Sequence, residues 1–153
     1  MSLTPADLAR SLVEKYGSGR ESIMQILTDL NTELGYIPVD AIRVIADAVG
    51  VSDAEVYGVI SFYSFLSTSP RGRHIVRLCS TVSCKMSGSG DVLEAVMDEL
   101  GIRVGETTSD GRITLETTSC IGLCDQSPAM LVNDRPFTRL TPESARGIVA
   151  GLE

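Results

Sequence analysis

The hydrophobic pattern changes character near Pro70-Arg71-Gly72. Before that point apolar residues recur at helical steps; after it, strands and turns alternate. Thr4 followed by Pro5 predicts a helix start, and the helix runs to about Tyr16, where Gly17-Ser18-Gly19 breaks it. A second helix is predicted from about Glu21 to Leu34, with Ile23, Ile26, Leu27, Leu30 and Leu34 on one face and Gly35 as its stop. Pro38 opens a third, with Ile42, Ile45, Ala46 and Val49 on one face and Gly50 at its end. Ser52-Asp53-Ala54-Glu55 is a capping-box pattern for a fourth, to which the aromatic cluster Tyr57, Phe62, Tyr63 and Phe65 is assigned. Four short amphipathic helices with short links predict a small bundle.

The second half is predicted to open with a strand, His74 to Leu78, followed by a cysteine loop and the Gly/Ser stretch Ser87 to Gly90. A helix is predicted from about Asp91 to Leu100, with Val92, Leu93, Val96, Met97 and Leu100 as its apolar face. Asp110-Gly111 marks a tight turn into a strand from Arg112 to Thr118. A short strand over Ala129 to Val132, a hairpin at Asn133-Asp134 into Phe137–Leu140, and a helix capped by Thr141-Pro142-Glu143 complete the pattern. The expected fold class is α+β: a helical bundle over residues 1–70, then a domain over 71–153 with helices packed on a mixed sheet. A thioredoxin-like core has this kind of layout.

Composition narrows the function. The 153 residues are 43% hydrophobic and 22% charged, as in ordinary folded domains. Thirteen basic against twenty acidic residues give a net charge of −7, without a basic run, which argues against nucleic-acid binding. The N-terminal residues lack a basic segment followed by an apolar one, so no signal peptide is expected; no apolar stretch approaches the ~20 residues of a membrane helix. The expected location is the cytoplasm, or the cytoplasmic face of a membrane complex, where structural disulfides are rare.

The four cysteines therefore need another explanation. Cys79-x4-Cys84 and Cys120-x3-Cys124 form two close pairs, and each follows a predicted strand. A [2Fe–2S] cluster needs four thiolates, two for each tetrahedral iron, and two such pairs supply them. Gly122 inside the second pair and Gly88 after the first allow tight turns that aim N–H groups at sulfur. A four-cysteine zinc site, making the chain a zinc-stabilised interaction module without a redox role, is the alternative; its pairs are more often two residues apart. Disulfides are disfavoured by compartment, and thiol redox chemistry by the lack of Cys-x-x-Cys. His74 is the single histidine, and neither Gly-x-Gly-x-x-Gly nor a Walker A pattern occurs, so neither a nucleotide site nor a substrate active site is expected. Asp110 and Glu116 are expected to be exposed turn and strand residues.

Specific motifs add a resemblance. Gly35-Tyr36-Ile37-Pro38, Val56-Tyr57-Gly58-Val59 leading to Phe62-Tyr63-Ser64, Gly105 to Gly111 followed by Thr114-Leu115-Glu116, and Cys120-Ile121-Gly122-Leu123-Cys124 resemble the E-subunit family of NADH:quinone oxidoreductase. That family has a thioredoxin-like [2Fe–2S] ferredoxin fold. It includes small subunits of NAD(P)-linked hydrogenases and NAD-dependent formate dehydrogenases. The resemblance spans about Thr4 to Leu140 and implies an electron-transfer subunit with one [2Fe–2S] cluster on Cys79, Cys84, Cys120 and Cys124. It further implies that the helical part docks on a flavoprotein subunit carrying FMN, the NAD(H) site and a [4Fe–4S] cluster, among further oxidoreductase subunits. Lys85-Met86-Ser87-Gly88 and Asp125-Gln126-Ser127-Pro128 depart from the family pattern without touching the cysteines.

Overall fold

Caps and apolar stripes determine where the helices of the first half begin and what they bury. The computed structural model describes residues 4–153, which form two compact units, one ending at Pro70 and one spanning Arg71–Glu153. The first contains α1 (Pro5–Tyr16), a 3-10 turn (Arg20–Ser22), α2 (Ile23–Leu34), α3 (Val39–Val49) and α4 (Asp53–Phe62). The Thr4 hydroxyl accepts the Asp7 N–H at 3.2 Å, satisfying one donor left over at the start of α1. Ser52 and Glu55 form the reciprocal capping box expected for α4. Gly35 ends α2 with φ 78°, a left-handed conformation that costs other residues about 1–2 kcal/mol. Ile26, Leu27 and Leu30 of α2, Ile45 of α3, Val56 of α4 and Ala9 of α1 are fully buried in one core. Each large aliphatic side chain there contributes about 1.5–3 kcal/mol by leaving water.

Three details differ from the expected pattern. Pro38 is the cap residue of α3 rather than its first turn. The start of the predicted second helix is the separate 3-10 turn. α4 ends at Phe62, so Tyr63 and Phe65 follow the helix instead of lying on it.

The second unit contains β1 (His74–Cys79), α5 (Val82–Met86), α6 (Ser89–Leu100), β2 (Ile113–Thr118), β3 (Met130–Val132), β4 (Arg135–Phe137) and α7 (Pro142–Ala150). The strands form one mixed sheet in the order β2-β1-β3-β4. β1 pairs parallel with β2 and antiparallel with β3, and β3–β4 is a hairpin. A parallel pair needs a crossover, which α5 and α6 supply. Side chains alternate across the sheet. Val76, Leu78, Ile113, Leu115, Met130 and Val132 face a core shared with Val92 and Val96 of α6 and Ala145 and Val149 of α7. The thioredoxin-like arrangement of strands and helices is present, with corrections at its margins. α5 was not expected, α6 starts two residues early at Ser89, and β4 is Arg135–Phe137 rather than Phe137–Leu140. A five-residue helix is too short to carry a periodic signal, and the hairpin pairs immediately after the turn, Val132 opposite Arg135. Among the described residues no helix is long and apolar enough to cross a membrane.

Candidate functional site

The register of two parallel strands brings the cysteines to one end of the sheet. Cys79 is the last residue of β1 and lies opposite Thr118, the last of β2. Parallel strands send their following loops off the same end, so the Cys79–Cys84 segment and the Cys120–Cys124 loop leave the sheet side by side. A direct hydrogen bond joins them: the Ser87 and Ser127 hydroxyls are 2.8 Å apart. Ser127 gives its one proton to the Cys124 carbonyl at 3.0 Å and so accepts from Ser87, and the link reaches the second pair itself.

The pairs differ in burial. Cys79 and Cys84 are each 1% exposed, whereas Cys120 and Cys124 lie at the surface. Cys84 sits within α5, so the helix that the sequence pattern missed is what turns the second thiol inward. All four are free thiols. Cys120 Sγ and Cys124 Sγ are 3.2 Å apart, and the Gly122 N–H donates to Cys120 Sγ at 3.4 Å. Gly122 adopts φ 81°, which glycine alone takes without strain and which turns its N–H back toward the sulfur. Gly88, by contrast, serves as the left-handed cap of α6.

The electrostatics show how closely the thiols interact. Burial opposes ionisation of Cys79. The Thr81 hydroxyl, 3.1 Å from its sulfur, together with the Thr81 N–H, the Cys84 thiol and the Ile121 N–H, outweighs burial and holds Cys79 below the ordinary thiol value. Burial pushes Cys84 up, assisted by Cys79, against a hydrogen bond from the Ala129 backbone. The neighbouring Cys120 pushes Cys124 up, with a smaller contribution from Cys79 across the two loops. Charge is therefore felt across the two segments: Cys79 acts on Cys124, and Cys124 on Cys84.

This donor set fits a [2Fe–2S] cluster. Such a cluster takes two thiolates per iron, and its sulfurs accept N–H bonds. The chain supplies two pairs rather than one convergent set, with backbone N–H groups of Ile121, Gly122 and Ala129 directed at sulfur. Among the described residues no three His, Cys, Asp or Glu side chains are grouped as one metal ion would require.

Other sequence-predicted residues fall elsewhere. His74 Nε2 lies 2.7 Å from the Glu153 backbone oxygen, a packing role at the start of β1. Asp110 is an exposed turn residue as expected; Glu116 is not exposed but is held between Arg71 and Arg77. Thr81, Ser87 and Ser127 carry site contacts that the sequence pattern did not mark. Thr81 preceding a short helix is the one local signal, since Thr is a favoured residue there.

Comparison with known proteins adds a family and relatives. The family described as thioredoxin-like [2Fe–2S] ferredoxin matches residues 9–153. The E subunit of the NADH-quinone oxidoreductase of Escherichia coli K12 is 37% identical over 129 residues, covering 84% of this chain and 78% of that protein. The alpha subunit of the NAD-reducing hydrogenase HoxS of Cupriavidus necator is 38% identical over 143 residues, which are 94% of this chain and 24% of that protein. Among solved structures, an NAD+-reducing [NiFe]-hydrogenase in the air-oxidised state aligns with TM-score 0.71 and 25% identity, over 82% of this chain and 22% of that one.

Proposed function

From the fact that this chain belongs to the thioredoxin-like [2Fe–2S] ferredoxin family, we propose that Cys79, Cys84, Cys120 and Cys124 together hold its one [2Fe–2S] cluster and that it relays single electrons beside a flavoprotein. The family's cofactor makes the protein an electron-transfer subunit, and its relatives include a subunit of an NADH-quinone oxidoreductase and one of an NAD-reducing hydrogenase. When bound, the cluster supplies a one-electron couple at neutral pH.

The chain's own residues supply the setting. Cys79 and Cys84 anchor the inner side of the site in a dry environment, and Cys120 and Cys124 form its accessible outer side. N–H groups from Ile121, Gly122 and Ala129 offset thiolate charge without needing water. Val82 and Met86, at the two ends of α5 around Cys84, are exposed and give that helix an apolar surface suited to a protein partner. The partner we propose is the flavoprotein subunit with FMN, an NAD(H) site and a [4Fe–4S] cluster, within a cytoplasmic complex or one on the cytoplasmic face of a membrane. Residues 1–70 form its docking part in this reading, with Tyr57 and Phe62 exposed on α4 and Tyr63 and Phe65 exposed just beyond it. The zinc-stabilised module finds no support, since the matched family is defined by [2Fe–2S].

One observation carries the ligand assignment: two cysteine pairs leave adjacent parallel strands at the same end and are joined by the Ser87–Ser127 hydrogen bond. The test replaces each cysteine by serine and measures iron, acid-labile sulfide and the EPR signal of the reduced protein. Each variant is expected to lose occupancy or change its signal. A variant with full iron and an unaltered spectrum removes that residue from the ligand set.

A further inference from the structure

Glu116 lies on the sheet face opposite the aliphatic core, directly across from Arg77 in the β1–β2 register. Its two oxygens are divided between two guanidinium groups: Arg71 Nε at 2.9 Å from Oε1 and Arg77 Nε at 3.1 Å from Oε2. All three side chains are mostly withdrawn from water, with exposures of 9% for Arg71, 13% for Arg77 and 20% for Glu116. Two permanent positive charges and one carboxylate leave this group at +1.

Its position relative to the cysteines follows from strand geometry. Arg77 precedes Cys79 by two residues on β1, so both side chains project from the same face, roughly 7 Å apart along the strand. Other nearby charges, Lys85 and Asp125, are exposed and screened by water. A mostly buried group is screened far less. Stability alone is a weak reason for such an arrangement, because withdrawing charges from water often costs as much as their pairing returns. Burial pulls Arg71 down from its usual value, with Glu116 opposing that fall, as expected where the desolvation cost is real.

We infer that Arg71, Glu116 and Arg77 form a fixed +1 electrostatic element that raises the reduction potential at the cysteine site. Reduction adds one negative charge there, and a neighbouring net positive charge favours the state that carries it. These three are positioning residues: they touch neither substrate nor the reacting atoms. The inference rests on the four-cysteine cluster reading.

The experiment is an anaerobic redox titration of the full chain with its cluster, followed by EPR, on the parent protein and on R77K, R77Q and E116Q. R77Q takes the element to zero and E116Q to +2, while R77K keeps +1. The midpoint is expected to fall in R77Q, rise in E116Q and stay near the parent value in R77K. A purely structural role would not move two variants in opposite directions. Equal midpoints in R77K and R77Q, or shifts of the same sign in R77Q and E116Q, overturn the inference. If E116Q does not fold, the R77K–R77Q difference decides alone. A parent protein without a [2Fe–2S] EPR signal on reduction fails the cluster reading itself, and this inference with it.

Discussion

At the scale of single residues, the chemistry rests on where sulfur, hydroxyl and N–H groups meet. Gly122 is the residue least replaceable by a small neighbour. At φ 81° it is free of strain only as glycine, and an alanine there costs about 1–2 kcal/mol in a loop bearing two thiols. Gly122→Ala is expected to lower cluster retention on mild heating, read as absorbance loss over time; retention equal to the parent would show that the loop tolerates the change. Ser127→Ala removes the bridge between the cysteine segments, worth about 0.5–1.5 kcal/mol, and is expected to speed the same loss. The four cysteines stood out in the sequence by spacing alone. Thr81, Ser87 and Ser127 did not, because a lone hydroxyl carries no pattern until the strands bring its partner near. Glu116 was misread for a related reason. Alternation tells which face a strand residue takes, but not that Arg71 and Arg77 wait there.

At the scale of elements, helix signals were the most legible and short elements the least. Thr4, Ser52 and Thr141 announced α1, α4 and α7, and each side chain accepts the N–H expected of a cap. Ser52→Ala removes one half of a capping box and is expected to destabilise the chain by about 1 kcal/mol in urea denaturation. α5 escaped because five residues around a cysteine show no period, although it is what buries Cys84. Between α1 and α2, the Asp29 carboxylate accepts the Tyr16 hydroxyl at 2.6 Å, which with Gln25 and Lys15 holds it below its ordinary value of 3.8. A lowered carboxylate value means stability that is present above the unfolded value and lost as pH falls through the folded one. Asp29→Asn is therefore expected to be less stable than the parent at neutral pH, with the difference closing below pH 3.8. A difference independent of pH would assign the effect to packing instead.

At the scale of the molecule there are two compact units: the one from Arg71 onward carries all four thiols, and the one ending at Pro70 carries none. The aromatic side chains at and after the end of α4 are exposed, Phe62 at 80%, more than the core of their unit requires. Phe62→Ser is expected to weaken copurification with the flavoprotein subunit proposed as its partner while leaving iron content unchanged. The mixed sheet and its helices were readable from alternation and caps, whereas the pairing of β1 with β2 needed the structure, since sequence does not state which strands become neighbours. That parallel pairing is what sets the two cysteine segments side by side. Everything proposed for the molecule depends on the four cysteines holding one [2Fe–2S] cluster, and metal analysis joined to EPR of anaerobically purified protein is the sharpest test of it. About two iron and two acid-labile sulfide per chain are expected, with a [2Fe–2S] signal appearing on one-electron reduction. Stoichiometric zinc with no sulfide and no signal would contradict it.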